Sequence, residues 1–282
     1  MSAIPFVKMH GTGNDFVVLD FFGDAAAVGV CLLPELARRM CRRRFSVGAD
    51  GLIAVLPEAG FDARMRIFNA DGSEAQMCGN GIRCVARLLH ERGRLHGNVA
   101  RIATAAGLRT VQVTVDADGV FATATVDMGA PEFEARMIPA NASGTVVNAE
   151  VSAGGDVYTL TAVSMGNPHG VVFVDDVDSY PVAASGSALE NCPLWVEKAN
   201  IEFAEIRPGS IRMRTWERGV GETLACGTGA CAVAAAAVAG GRGVAPFVMD
   251  LDGGRLCIDV GADGHLLLTG AAEHVFDGVF EL

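Results

Sequence analysis

The feature that most limits what this chain can fold into is a stretch it carries twice. MCGNGIRC occupies 77–84 and ACGTGACA occupies 225–232, so a Cys-Gly-x-Gly core stands at Cys78 and again, 148 residues later, at Cys226. The same offset relates Arg64-Met65-Arg66 to Arg212-Met213-Arg214, Phe68 to Trp216, Glu74 to Glu222 and Val85-Ala86 to Val233-Ala234. A shared offset through so many residue types marks an internal duplication. Two like halves must then fold alike, each with one cysteine at the mouth of a helix.

The local physics of both copies agrees. After Cys78-Gly79-Asn80-Gly81 comes IRCVARLLHERG, made of helix formers and stopped by Gly93. After Cys226-Gly227-Thr228-Gly229 comes ACAVAAAAVAGG, which has almost no polar side and is predicted to be a buried helix. Glycines at a helix start leave backbone N–H groups open to an anion. A cysteine there gains thiolate character from the same dipole. Two such thiols around one anion pocket suit acid/base work on a carbon beside a carboxylate.

A Cys-Gly turn seen once reads more simply as a small buried hydrophobe at a bend. The spacings Cys78–Cys84 and Cys226–Cys231 lack the short pairs of zinc sites, so no metal is expected. The duplication of the glycine-rich turn after each cysteine favours the functional reading.

Composition bounds the rest. The 282 residues are ample for two cores, half are apolar, and no stretch is long and uncharged enough to span a bilayer. MSAIPFVKMH has no signal-peptide pattern. Eight scattered cysteines fit a reducing cytoplasm, and a net charge of −11 argues against a nucleic-acid partner. Arg38, Arg39, Arg42, Arg43 and Arg44, following Pro34, read as the solvated face of one helix. Cys31, Cys41, Cys84, Cys192, Cys231 and Cys257 read as packing residues.

In chain order, IPFVKMHGTGNDFVVLDFF gives two strands around a glycine turn, and the strand ARMRIFNADGSEAQ turns at Asn69–Gly72 into the first cysteine motif. Further strands close the first cycle near residue 125. The second cycle is strand-rich again, and its Gly166-Asn167 echoes Gly13-Asn14. The expected class is α+β, with two structurally similar domains, 1–125 and 126–271, each a sheet-rich layer around a central helix. The two cysteines would face each other across the seam.

Inverting a stereocentre requires taking a proton from one face of a carbon and returning one to the other. Two opposed groups of similar basicity can do this, one as thiolate and one as thiol. Helix N-termini would hold the charge that develops on the adjoining carboxylate. Pyridoxal phosphate, the usual alternative, needs a Schiff-base lysine. Lys8 and Lys198 are the only lysines, and neither sits in a cofactor motif, so no cofactor is expected.

KMHGTGNDFVVLD, RIFNADGSEAQMCGNGIRC, SMGNPH, ANIEF and WERGVGETLACGTGACA resemble the signature segments of the diaminopimelate epimerase family, from about residue 6 to the C-terminus. The resemblance implies cofactor-independent interconversion of LL- and meso-2,6-diaminopimelate, in lysine and peptidoglycan biosynthesis, by a cytoplasmic homodimer. It implies that the final strand, about 272–282, returns to the first domain. It also implies catalytic roles for Cys78 and Cys226, and thiol tuning by His169 and Glu217. Gly79, Asn80, Gly227 and Thr228 would hold the reacting carboxylate. Asn14, Asn69, Asn167, Asn200, Glu217 and Arg218 would bind the substrate, Arg218 through a bidentate fork on its distal carboxylate. Gly51 stands where many members carry a substrate-contacting glutamine. The rival functions are a racemase of proline, hydroxyproline or histidine on the same scaffold, a non-catalytic amino-acid binder, and a thiol redox protein.

Overall fold

The structure, a computed structural model, describes residues 3–23 and 29–282. Its chain forms two compact units, Met1–Val126 with Thr269–Leu282, and Asp127–Leu268.

In the first unit, β1 (Ala3–Gly11) turns through Thr12 and Gly13 into β2 (Asn14–Asp20). Gly13 has a φ of +80°, a conformation glycine adopts without strain. There follow α1 (Leu33–Met40), β3 (Gly51–Leu56), β4 (Ala63–Asn69), the short β5 (Glu74–Ala75), α2 (Gly79–Glu91), β6 (Val99–Thr104), β7 (Gly107–Val115) and β8 (Phe121–Asp127). β1 and β2 are antiparallel, β2 runs parallel to β3, and β3 is antiparallel to β4. β4 pairs antiparallel with β5 and parallel with β6, and β6, β7 and β8 form a meander.

The second unit holds β9 (Ala149–Ala153), β10 (Asp156–Ser164), β11 (Pro168–Phe173), α3 (Val182–Glu190), β12 (Asn200–Arg207), β13 (Ser210–Glu217), β14 (Gly221–Thr223), α4 (Gly227–Ala239), β15 (Phe247–Leu251) and β16 (Gly254–Val260). The chain passes back at Thr269, inside β17 (Leu266–Gly270), and ends in β18 (Glu273–Glu281), which pairs antiparallel with β1. The pairings of β10–β16 repeat those of β1–β7 in order and sense, including parallel β11–β12 and β13–β15.

Strand alternation explains why each sheet takes helices on both faces. On β3, Leu52 and Ala54 share a core with Leu36 and Met40 of α1, while Ile53 lies against Gly81 at the start of α2. On β12, Ile201 and Phe203 share a core with Val182 and Leu189 of α3, while Glu202 lies against Gly229 at the start of α4. α2 buries Ile82, Val85, Leu88 and Leu89, each contributing about 1.5–3 kcal/mol. α4 is buried from Gly229 to Ala237, as its lack of a polar side requires.

The repeated charges pair within each copy: Arg66 to Glu74 at 2.7 Å, and Arg214 to Glu222 at 2.7 Å. The duplicated glutamates therefore pin each strand to the hairpin that leads into its helix.

Two expectations change, and one helix is new. α1 stops at Met40, because the chain turns back there and Gly48 N–H donates to the Met40 carbonyl. Arg42–Arg44 lie beyond that helix, and Arg43 is an ion-pair partner of Asp15 and Asp50. α3 is a helix that sequence patterning does not announce. Cys31 is exposed and packs no core.

Candidate active site

Cys78 is the N-cap of α2, with extended backbone and its sulfur accepting from the Gly81 N–H at 3.5 Å. Its Sγ stands 3.6 Å from Asn14 Oδ1, which also accepts from Asn80 Nδ2 at 3.5 Å. The fully buried Arg83 holds the same turn, donating to Gly79 O (3.0 Å), Asn80 Oδ1 (3.1 Å), Thr12 Oγ1 (2.7 Å) and Ala271 O (3.1 Å). With their oxygens engaged, Gly79 and Asn80 keep first-turn N–H groups that have no carbonyl partner inside the helix. Asn69 is tied to its own turn through Ser73 Oγ, at 2.9 Å.

Beneath Asn14 lies a charge network. Asn14 Nδ2 donates to Asp50 Oδ2 at 2.9 Å, Arg43 bridges Asp50 and Asp15, and Lys8 pairs with Asp15 at 2.5 Å and also donates to Gly48 O. Burial alone would push the Asp15 carboxyl up, but hydrogen bonds from Arg43 and Lys8 outweigh it and hold it at about 2. A depressed carboxylate contributes stability that is present above its unfolded value, about 4, and is lost as pH falls through the folded one. Acid melts should therefore lose this contribution between about pH 4 and pH 2. Asp15→Asn should remove that step and lower stability at neutral pH by about 1–3 kcal/mol, read by urea titration.

Cys226 repeats the geometry in the second unit. It is the N-cap of α4, its sulfur accepts from the Gly229 N–H at 3.3 Å, and Thr228 Oγ1 lies 3.4 Å away. Asn167 Nδ2 reaches Thr228 Oγ1 at 3.5 Å, and Asn167 Oδ1 lies 3.0 Å from His169 Nε2. Glu217 accepts from Thr223 Oγ1 at 2.5 Å. Asn200 donates to Pro168 O at 3.1 Å and accepts the Arg218 N–H at 3.0 Å. The Arg218 guanidinium donates to Glu197 O at 3.2 Å. Asn167 and Arg218 line a cavity of about 320 Å³, with Ser164, Pro168 and Lys198 among its other walls.

The simple expectation that a helix start lowers a thiol's pKa does not hold at Cys226. Burial, then the nearby charges of Glu217 and Glu202, push it well above its ordinary value, and the Thr228 and Gly229 hydrogen bonds only partly offset them. Cys41 and Cys84, pushed up to about 12 by burial, are inert packing thiols.

The sequence profile described as Diaminopimelate epimerase matches residues 6–134 and 161–275. The chain belongs to the diaminopimelate epimerase family. A diaminopimelate epimerase of Desulfitobacterium hafniense is 47% identical over 97% of this chain and 96% of its own length. One of Pelotomaculum thermopropionicum is 45% identical over 98% of each. Among solved structures, a PhzF-family phenazine biosynthesis protein of Bacillus anthracis aligns over 100% of both chains with a TM-score of 0.73 at 19% identity. A probable proline racemase of Agrobacterium radiobacter aligns over 99% of this chain and 92% of its own, with a TM-score of 0.69 at 19% identity. These two share the fold.

In this family member, Gly51 has a steric reason. It pairs with Phe16 on one side and Asn69 on the other, and a Cβ on it would sit 2.7 Å from the Phe68 carbonyl oxygen. Three residues at the site escape a sequence reading. Arg83 stands where the repeat breaks, since its counterpart is Cys231. Asp50 sits in a loop, far in sequence from Asn14. Glu202 is a carboxylate between Ile201 and Phe203 in a strand buried from Asn200 to Ala204, and that burial is not legible in the sequence.

Proposed function

We propose that this chain is a cofactor-independent epimerase interconverting LL- and meso-2,6-diaminopimelate. The observation that carries the reading is one N-cap cysteine per unit, each with a glycine N–H on its sulfur, in a chain of this family. Cys78, as thiolate, takes the α-proton, and the Cys226 thiol delivers one to the opposite face; the reverse reaction exchanges their roles. Cys226 rests protonated because burial and two carboxylates raise it, which suits it to start as the acid.

The first-turn N–H groups of Gly79, Asn80, Gly227 and Thr228 hold the carboxylate next to the reacting carbon, where charge builds as the proton leaves. Asn14, Asn69, Asn167, Asn200 and Arg218 hold the remaining polar groups of the substrate, and His169 and Glu217 set the charge around the thiols. No step calls for a metal or a Schiff base. Lys8 is committed to Asp15 and Gly48, away from such a role. Lysine and peptidoglycan biosynthesis is the corresponding pathway, and a cytoplasmic homodimer the corresponding state.

The test is incubation with LL-diaminopimelate in deuterated water, with chelator present. The expected result is meso-diaminopimelate carrying deuterium at the inverted carbon, with L-proline, hydroxyproline and L-histidine untouched. Racemisation of one of those instead, or activity lost to chelator and restored by metal, would overturn the proposal.

A further inference from the structure

The duplication supplies its own control for what the second unit has added. Phe68 and Trp216 are equivalent in the repeat and pair with Leu52 and Ile201 respectively, so Ile53 is equivalent to Glu202. Its cross-strand partner Ile67 is equivalent to Thr215, and Phe16, which pairs with Gly51, is equivalent to His169, which pairs with Asn200. Under the first thiol helix the register therefore carries Phe16, Ile53 and Ile67. Under the second it carries His169, Glu202 and Thr215, all buried.

The polar set comes at a cost to stability. Glu202 Oε2 and Thr215 Oγ1 are buried without a hydrogen-bond partner. The same strand register packs in the first unit with apolar residues alone, so folding does not require the carboxylate. Gly229 admits it: a Cβ there would lie 2.6 Å from Glu202 Oε1. The carboxyl group thus rests against the first turn of α4, where the helix dipole favours negative charge.

From Glu202 a chain of hydrogen bonds leads to the sulfur. Oε1 lies 2.8 Å from His169 Nδ1, His169 Nε2 lies 3.0 Å from Asn167 Oδ1, Asn167 Nδ2 lies 3.5 Å from Thr228 Oγ1, and Thr228 Oγ1 lies 3.4 Å from Cys226 Sγ. The directions from His169 to Thr228 are forced. Asn167 donates to Thr228, so its oxygen must accept the His169 Nε2–H. Thr228, having accepted, keeps its own hydrogen to donate to the sulfur once the sulfur is a thiolate. One proton then lies between His169 Nδ1 and Glu202 Oε1.

We propose that Glu202 is a positioning residue for epimerisation, anchoring His169 so that the relay through Asn167 aims the Thr228 hydroxyl hydrogen at Cys226. The bond onto sulfur works against the burial and carboxylate charge that disfavour the thiolate Cys226 becomes after it gives up its proton. This rests on the two-thiol reading above.

The test combines Glu202→Gln, which keeps size, with Cys226→Ser as a control and ¹⁵N spectra of the histidines. E202Q should fold and lose about tenfold or more in kcat, with KM changed less than about threefold, because the bond is worth most when sulfur is charged. Its His169 Nδ1 resonance should move toward the unprotonated range relative to wild type. Replacing the set with its first-unit equivalents (His169→Phe, Glu202→Ile, Thr215→Ile) should give a folded, inactive protein with a Tm at or above wild type. Inactive C226S beside E202Q with wild-type kcat would overturn the role of Glu202 alone. Active C226S would overturn the two-thiol reading itself. Should E202Q not fold, the wild-type spectrum still decides, since a bare Nδ1 in His169 would overturn the shared proton.

Discussion

Cys78→Ala and Cys226→Ala should each remove epimerisation by about a thousandfold or more, and the double variant should be no worse than either single one. The non-additivity is the informative part. If both thiols work on one carbon in one proton exchange, losing the first leaves the second with nothing to complete. Two independent contributions would multiply instead. Folding should survive, because each side chain is small and its polar contacts are long: a glycine N–H at 3.5 Å and Asn14 Oδ1 at 3.6 Å in Cys78, a glycine N–H at 3.3 Å and Thr228 Oγ1 at 3.4 Å in Cys226. The proposal also requires that both sulfurs reach the same atom. Mild oxidant should therefore abolish activity by joining Cys78 to Cys226, with reductant restoring it and substrate protecting. Peptide maps showing Cys78 joined to Cys84, or Cys226 to Cys231, would refute it, as would a double variant far slower than either single one.

Much of the fold was legible in the sequence because the duplication forces two stretches to satisfy one set of rules. A glycine-flanked cysteine before a helical run can be an N-cap in one copy by accident, but hardly in both. Cys78 and Cys226 are N-caps with the same N3 bond to sulfur. The alternation of Arg64-Met65-Arg66 and its copy likewise predicts a strand with charges on one side. α3 was hidden for the opposite reason. Its sequence, VAASGSALE, is small and weakly patterned, because Gly186 lies under an aromatic ring. A Cβ on Gly186 would meet Trp216 at 2.6 Å. Composition that reads as a loop is here the requirement of close packing.

The network around Asn14 and the relay to Cys226 were illegible for a different cause. Arg43, Asp50 and Asp15 are brought together by the pairing of β2 with β3 and the turn after α1, and no local pattern encodes which charges will meet. The role of Glu202 could not be read from the sequence, since its partner His169 lies 33 residues away on a parallel strand. Gly51 shows the limit of reading by resemblance. A glycine at a contact position looks like a lost contact, whereas the Phe68 carbonyl leaves no room for a side chain there.

Arg218→Lys should lower kcat/KM for diaminopimelate by about 30- to 100-fold, mostly through KM, while leaving stability nearly unchanged. Arg218 is exposed, and among the described residues its side chain makes one bond, to the Glu197 carbonyl at 3.2 Å, so the guanidinium keeps donors for a ligand in the adjoining cavity. Its backbone is fixed independently of the side chain, because the Arg218 N–H is held by Asn200 at 3.0 Å. Lysine at that position would inherit the same backbone and offer a charge but no fork. The loss should therefore follow the two-point contact with a carboxylate, each charge-assisted bond being worth about 1.5–3 kcal/mol. Binding of L-lysine, which lacks the second carboxylate, separates this from a general effect of charge. Wild type and R218K should bind it equally weakly, whereas their affinities for diaminopimelate should diverge. Equal affinities for diaminopimelate would place the distal carboxylate elsewhere, and the choice of a substrate with two amino-acid heads would lose its physical basis in this site.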